Sequence, residues 1–278
     1  MKGTQLSVIE AKRMQNYSVS KANQFIWNSM YCLTITEQRI LACAISLLDS
    51  RPIDETKIGE TASMECEFRI DTFCKLCNID KKASLTYIKT LLGGLRNKSF
   101  WIENDDGAFE TFSWVEKAKF DPKSQLITVE LSKDMKPYLL NLDKNFTTYK
   151  LPIILRFQSK HSTAIFDLIY SKYCENSYVY DGFRKYSRGE FQMPLEELKD
   201  RVAMKWDNKK NVLVKQNLSF KDFRVNMLEP AILDINKYTD ILVDVEYLKR
   251  GRKIEIVCFK YKPKTKEELA KIQSDSFE

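Results

Sequence analysis

Lys249-Arg250-Gly251-Arg252-Lys253 gathers four cations into five residues. Like charges this close repel one another unless an anion lies between them. Gly251 gives the segment freedom to turn with a positive φ, so the run reads as a hairpin apex offered to a polyanion. Phosphate oxygens suit it, along a nucleic-acid backbone or within a minor groove. Upstream, Lys221, Asp222, Arg224 and Asn226 lie together off an apolar stripe. Arg suits guanine O6 and N7, Asn suits adenine and Asp accepts from cytosine, so this set has the chemistry to read base edges. An ordinary solvated polar position is the alternative for each. A basic loop holding Lys205, Lys209, Lys210 and Lys215 would support the same backbone. Earlier in the chain, Lys81, Lys82, Ser84 and Lys89, with Arg96 and Lys98 beyond them, form a second candidate group.

Other chemistries find little support. His161 is the single histidine, which excludes His-x-His metal sites and the zincin motif, and its place at a helix start suits a surface or capping role. Cys74-Lys-Leu-Cys77 lacks the second pair that a structural zinc site uses, and its apolar surroundings suit core thiols. No glycine is followed by lysine, so the phosphate loop of nucleotide hydrolases is absent. Carboxylates are scattered, and Asp105-Asp106-Gly107 reads as a turn. No catalytic residue, metal or cofactor is expected.

Charge distribution supports the polyanion reading. The chain has 278 residues, enough for two domains, and a net charge of +7. Residues 1–142 carry net +1, residues 143–278 carry net +6, and residues 199–266 alone carry net +8. Such a local excess suits nucleic acid or an anionic membrane face, with a merely solvated basic surface as the alternative. No apolar run approaches the ~20 residues that span a bilayer, and the N-terminus has no apolar signal core. Seven cysteines, an odd set, read as reduced thiols in a cytoplasm.

The elements that must position these groups follow one order, used twice. A helix over residues 34–48 opens with the capping-box pair Thr34 and Glu37 and buries Ile40, Leu41, Ala44, Ile45 and Leu48. Arg51-Pro52 ends it. A short strand over residues 66–70 precedes a helix capped by Asp71, and a longer helix runs from Lys81 to about Lys98. A hairpin over residues 100–115 would be the wing, acidic through Glu103, Asp105, Asp106 and Glu110, and a further strand runs from Gln125 to Leu131. Phe109, Phe112 and Trp114 are dimer contacts or core. The order recurs: helix 159–173, short strand 190–193, helix after Pro194, helix 219–238, and a hairpin turning at residues 249–253. Glu190-Phe191 repeats Glu67-Phe68 at an offset of 123 residues. In the last helix Phe220, Phe223, Met227, Ala231, Ile232 and Ile235 form the core stripe, with a bend at Pro230. Helix, strand, helix, helix, hairpin is the order of a winged helix. The expected class is therefore α+β, with two tandem winged-helix domains from internal duplication. Their expected spans are residues 18–142 and 143–263, with polar tails at 1–17 and 264–278.

Four stretches carry a family resemblance: Leu33-Thr-Ile-Thr-Glu-Gln-Arg39, Tyr149-Lys-Leu-Pro through Ser159-Lys-His-Ser-Thr to Tyr170, Phe220-Lys-Asp-Phe-Arg-Val-Asn to Asn236, and Lys249 to Phe259. In this order they resemble the Rep_3-type plasmid replication initiators across about residues 18–263. The resemblance implies a protein that binds directly repeated origin sites (iterons) on double-stranded DNA, without cutting it or hydrolysing nucleotide. It implies opening of an adjacent AT-rich segment together with a host initiator and the replicative helicase. In such a family, monomers initiate, while dimers joined through the first winged helix repress the initiator's own gene. The nearest rival is a dimeric winged-helix transcriptional repressor on an operator palindrome. A nicking enzyme using a tyrosine and a pure protein-interaction module are more distant.

Overall fold

The computed structural model describes residues 10–51, 63–103, 106–180 and 183–274. They fall into two units, one running up to Arg156 and including Trp206–Leu213, the other holding Phe157–Lys205 and the chain from Val214 onward. The division lies at 156/157 and not at the expected 142/143. Strand β8 explains the shift: it pairs antiparallel with β1, Ser18 opposite Lys150 and Ala22 opposite Phe146. Nothing in Phe146-Thr-Thr-Tyr-Lys150 alone announces a partner at the other end of the unit.

In the first unit the elements are β1 (Ser18–Ala22), α1 (Asn23–Asn28), β2 (Ser29–Met30), α2 (Ile35–Ile45), β3 (Glu65–Arg69), α3 (Ile70–Cys77), α4 (Lys81–Asn97), β4 (Ser99–Glu103), β5 (Phe109–Ser113), β6 (Val115–Asp121), β7 (Leu126–Leu131), α5 (Lys136–Leu139), β8 (Phe146–Lys150) and α6 (Leu151–Arg156). The capping box at α2 forms: Glu37 N donates to Thr34 Oγ1 at 3.3 Å and Thr34 N to Glu37 Oε2 at 2.7 Å. Behind it Ile40, Leu41, Ala44 and Ile45 are buried, and α2 packs on α4, α6 and β3.

Asp71 does not cap α3; Arg69 holds the cap position, while Asp71 in the first turn pairs with Lys81. More consequentially, the hairpin β4–β5 is not the wing. It pairs with β2 in a sheet of order β2-β4-β5, while a separate sheet of order β3-β7-β6 contains the hairpin that closes back on β3. The wing position therefore belongs to β6–β7, with Asp121 opposite Leu126 at its end. Trp114 is core, its ring 4.5 Å from Phe100, and Phe112 is half-buried, whereas Phe109 is 60% exposed. Asp105 and Pro52 lie outside the described residues.

The later part of the chain runs α7 (Ser162–Glu175), β9 (Ser177–Tyr180), β10 (Phe183–Tyr186), β11 (Gly189–Pro194), α8 (Leu195–Val202), β12 (Met204–Asp207), β13 (Val212–Lys215), α9 (residues 220–238), β14 (Ile241–Arg250), β15 (Lys253–Pro263) and α10 (Lys266–Ser274); all of it belongs to the second unit except residues 206–213 of the β12–β13 hairpin. The second unit's three-stranded sheet has the order β11-β15-β14, so β11, α8, α9, β14 and β15 repeat β3, α3, α4, β6 and β7. Insertions disguise the repeat. Hairpin β4–β5 interrupts the first copy before its wing, and β9–β10 and β12–β13 interrupt the second. The basic stretch expected as a loop at 205–215 is the hairpin β12–β13.

Helix α9 is composite. Phe220–Phe223 is α-helical, Arg224–Leu228 is a π-turn, and Glu229–Tyr238 is α-helical with Pro230 in its first turn. Phe223, Met227, Ala231 and Ile235 are all buried at four-residue spacing. In a pure α-helix each four-residue step drifts about 40° around the axis; the wider π-turn absorbs part of that drift and keeps the stripe on one side. Phe220 and Ile232 are only half-buried, and Leu228 and Asp234 join the core side.

Neither expected tail is simply polar. Residues 10–14 are helical, with Ala11 and Met14 buried and Glu10 Oε2 accepting from Thr72 Oγ1 at 2.6 Å. Past β15, Lys264 is buried and donates to the carbonyls of Asn236 and Thr239 at 2.5 and 2.7 Å, ahead of α10. Among the described residues no helix is long and apolar enough to cross a membrane.

Candidate nucleic-acid interface

In the second unit the helix and the wing are tied together at both ends. At the start of α9, the Phe220 ring meets the Tyr247 ring of β14 edge-to-face, centroids 5.0 Å apart. Tyr247 lies shortly before the basic turn, so the N-terminal end of the helix is set beside the wing. At the far end, the Asn236 amide accepts from Val243 N at 2.7 Å and donates to Val243 O at 2.8 Å, fixing the root of β14. Asp234 secures the same helix to α7: its Oδ2 accepts from Gln158 N, Ser159 N and Ser162 Oγ at 2.7, 2.8 and 2.6 Å. A buried carboxylate with three donors is well satisfied. The stretches Ser159–Tyr170 and Phe220–Asn236 thus meet through hydrogen bonds that their sequence separation conceals.

The wing turns as expected. Arg250 opposes Lys253 across the turn, Gly251 takes φ +62°, and a bulge beside Leu248 and Lys249 adds twist to the hairpin end. Lys249, Arg250, Arg252 and Lys253 are all exposed. Arg250 lies 3.9 Å from the Glu255 carboxylate. Four exposed cations at one tip, only Arg250 of them facing a carboxylate among the described residues, create a positive field that water and salt only partly screen.

On α9 the candidates divide. Lys221 and Asn226 are exposed on the outer side. Asp222 is exposed but belongs to the helix cap, accepting from Ser219 Oγ at 2.7 Å. Arg224 does not extend outward as expected: it is half-buried, 3.3 Å from Glu229 and over the Phe220 ring. The π-turn brings Arg224 and Glu229, five residues apart, onto one side. Lys209 and Lys210 are exposed at a turn where their backbone N–H groups donate to Asp207, and Lys215 pairs with Asp200 at 2.6 Å.

The first unit presents an analogous but weaker surface. Helix α4 is capped by Asp80, which accepts from Ala83 N at 2.8 Å, and β6 packs against it. Lys82, Lys89 and Arg96 are exposed. Lys81 is committed to Asp71, and Ser84 Oγ donates to the Asp80 carbonyl at 2.8 Å. Lys98 is not the free surface cation expected: its half-buried side chain donates to both oxygens of the buried Glu37 at 2.9 and 2.7 Å, so it holds α2 against the end of α4. Relocating the wing to β6–β7 exposes residues not anticipated from sequence, Lys117, Lys119 and Lys123. Their signal was the alternation in Val115-Glu-Lys-Ala-Lys-Phe-Asp121 before Pro122, a strand-and-turn pattern merged into the preceding hairpin. The acidic residues Glu103 and Glu110 sit on the other sheet and do not weaken this wing.

Groups suited to catalysis are put to structural use. His161 is buried, contrary to a surface placement, and its Nδ1 donates to Val202 O at 2.9 Å. Burial, reinforced by Lys160, lowers its pKa to about 4, so the ring is neutral. Burial pushes the thiols of Cys66 and Cys77 up to about 12 and raises Cys43 and Cys74, which keeps them protonated and inert. Among the described residues no three His, Cys, Asp or Glu side chains gather as a metal site.

Comparison with known proteins agrees with this architecture. Residues 18–170 match the family described as "Initiator Replication protein, WH1", and residues 194–261 the one described as "Initiator Rep protein, WH2". A "Replication initiation protein" of Escherichia coli is 25% identical over 247 residues, spanning 88% of this chain and 70% of that protein. The "PI protein" of Escherichia coli is 28% identical over 153 residues, 53% of this chain and 47% of that protein. The crystal structure of Pi initiator protein in complex with iteron DNA superposes with a TM-score of 0.66 at 19% identity, covering 90% of this chain and 98% of that one. At that identity the likeness shows a common fold.

Proposed function

The chain belongs to the initiator replication protein family, and on that premise we propose that it binds directly repeated origin sites on double-stranded DNA and opens the adjoining AT-rich segment with a host initiator and the replicative helicase. Helix α9 enters the major groove, Lys221 and Asn226 reaching base edges from its N-terminal half, as recognition helices do. The wing cations Lys249, Arg250, Arg252 and Lys253 lie on the flanking phosphates or in the minor groove. Lys209, Lys210 and Lys215 support the same strand. In the first unit Lys82, Lys89 and Arg96 on α4 and the basic β6–β7 wing add backbone contacts. The protein works in the cytoplasm, and a dimer formed through the first unit represses its own gene. No bond in DNA or nucleotide is broken in this reading.

The observation that carries the proposal is the Phe220–Tyr247 contact, which sets the N-terminal end of α9 and the wing strand side by side. One duplex can then touch both. If roughly six to ten phosphates are contacted, affinity falls by about 10³–10⁵ between about 50 and 200 mM salt. Footprinting on the DNA upstream of the coding region tests the reading: protection of tandem repeats beside an AT-rich run is expected. Protection of a single inverted repeat, the mark of a palindrome-binding repressor, overturns it.

A further inference from the structure

The outward stripe of α9 contains two apolar members, Val225 and Leu233, of which Val225 lies in the N-terminal half. Lys221, Val225, Glu229, Leu233 and Lys237 recur every four residues and all are exposed, opposite the buried stripe of Phe223, Met227, Ala231 and Ile235. Val225 stands on the N-terminal half of the helix, inside the π-turn, and is 43% exposed. Its polar neighbours leave it prominent. Arg224 is drawn back onto Glu229 and Phe220, and Asp222 is held by the Ser219 cap. Between Lys221 and Asn226, the surface that a major groove would meet is therefore an isopropyl group.

A β-branched residue at a solvent-facing helix position has poor helix propensity, and 43% of Val225 is left to solvent. Base edges in the major groove offer such a group one distinctive partner, the C5-methyl of thymine. Residues near the N-terminal end of a recognition helix are the ones that reach base edges. We propose that Val225 is a specificity-determining residue, packing its isopropyl group on a thymine C5-methyl in the repeat and selecting T over C at that position. The inference rests on the proposed function, because it requires α9 to lie in a major groove. It adds a shape-based contact to the hydrogen-bonding readout by Asn226 on the next residue.

The test is a deoxyuridine scan. Each thymine of one footprinted repeat is replaced singly by deoxyuridine, which removes only the methyl group. Duplex affinity is then measured for the full-length wild-type protein and for Val225→Ala. Alanine is the better helix former at an exposed position, so the variant should melt no lower than wild type. One or two replacements should weaken wild-type binding by about four-fold, the worth of burying one methyl group. The same replacements should leave Val225→Ala unaffected, while its affinity for the all-thymine repeat is already reduced by a similar factor. Equal losses in both proteins, or no sensitive thymine in wild type, overturn the assignment of Val225 while leaving the DNA-binding reading intact. Failure of wild type to bind the thymine-containing repeat at all overturns that reading and this inference with it.

Discussion

Phe220 and Tyr247 meet edge-to-face with their ring centroids 5.0 Å apart, joining the first turn of α9 to the strand that leads into the basic apex. Edge-to-face pairs of this kind contribute about 0.5–1.5 kcal/mol beyond simple burial. Here the contact also ties helix to wing at the N-terminal end of α9; Asn236 and Val243 supply the tie at the other.

Tyr247→Ala should therefore cost about 1–2 kcal/mol in urea unfolding and weaken duplex binding roughly ten-fold, while leaving the dependence of affinity on salt unchanged. No cation is removed, so the number of counterions released stays the same. A flattened salt dependence in this variant would show that the ring pair acts through charge and not through geometry.

Lys98 and its neighbours on α4 should separate cleanly. Lys98→Met strands Glu37, whose side chain is only 4% exposed, without its cation; breaking a buried pair in this way costs about 3–5 kcal/mol. Lys82→Ala and Lys89→Ala remove exposed cations and should leave the melting temperature unchanged while lowering DNA affinity. Thermal melts and gel shifts on the three variants check both halves.

His161 makes stability sensitive to mild acid. Its folded-state pKa of about 4 lies below the ordinary imidazole value of 6.5, so in the intervening range the unfolded chain takes up a proton that the folded chain refuses. The stabilisation is complete above pH about 6.5 and is lost as pH falls towards about 4, by about 3 kcal/mol in all. His161→Gln retains an amide donor for Val202 O but cannot titrate, and its unfolding free energy should lose that slope. An unaltered slope would place the acid sensitivity elsewhere.

The repeated plan was legible because local signals and burial agree in it. Thr34 with Glu37 marks a helix start by chemistry that needs no partner, and the Phe223–Met227–Ala231–Ile235 stripe marks a buried face by spacing alone. Where a partner is distant, the residues were silent. Lys98 looks like any surface cation until Glu37, 61 residues away, is placed beside it. Arg224 faces outward under an α-helical count, and the π-turn that turns it onto Glu229 has no local signature beyond Pro230. In the sequence β4–β5, with its Asp-Asp-Gly turn, is the more conspicuous hairpin, and only strand pairing shows that β3 chooses β7.

That relocation carries its own expectation. Lys117, Lys119 and Lys123 replaced together by Ala should reduce the salt slope by about 1–3, whereas Glu103→Gln with Glu110→Gln should change it little, because phosphate contacts scale with cations at the interface. The opposite ranking would restore β4–β5 as the DNA-facing hairpin.

The most direct measurement compares wild type with the quadruple variant Lys249→Ala, Arg250→Ala, Arg252→Ala, Lys253→Ala on the same direct-repeat duplex, across a salt titration. With the fold intact by melting, affinity should fall and the slope of log K against log salt should become shallower by about 3–4, one phosphate neutralised per lost cation. An unchanged slope with unchanged affinity would mean that the apex touches no DNA, and the helix-and-wing account of the second unit would be wrong.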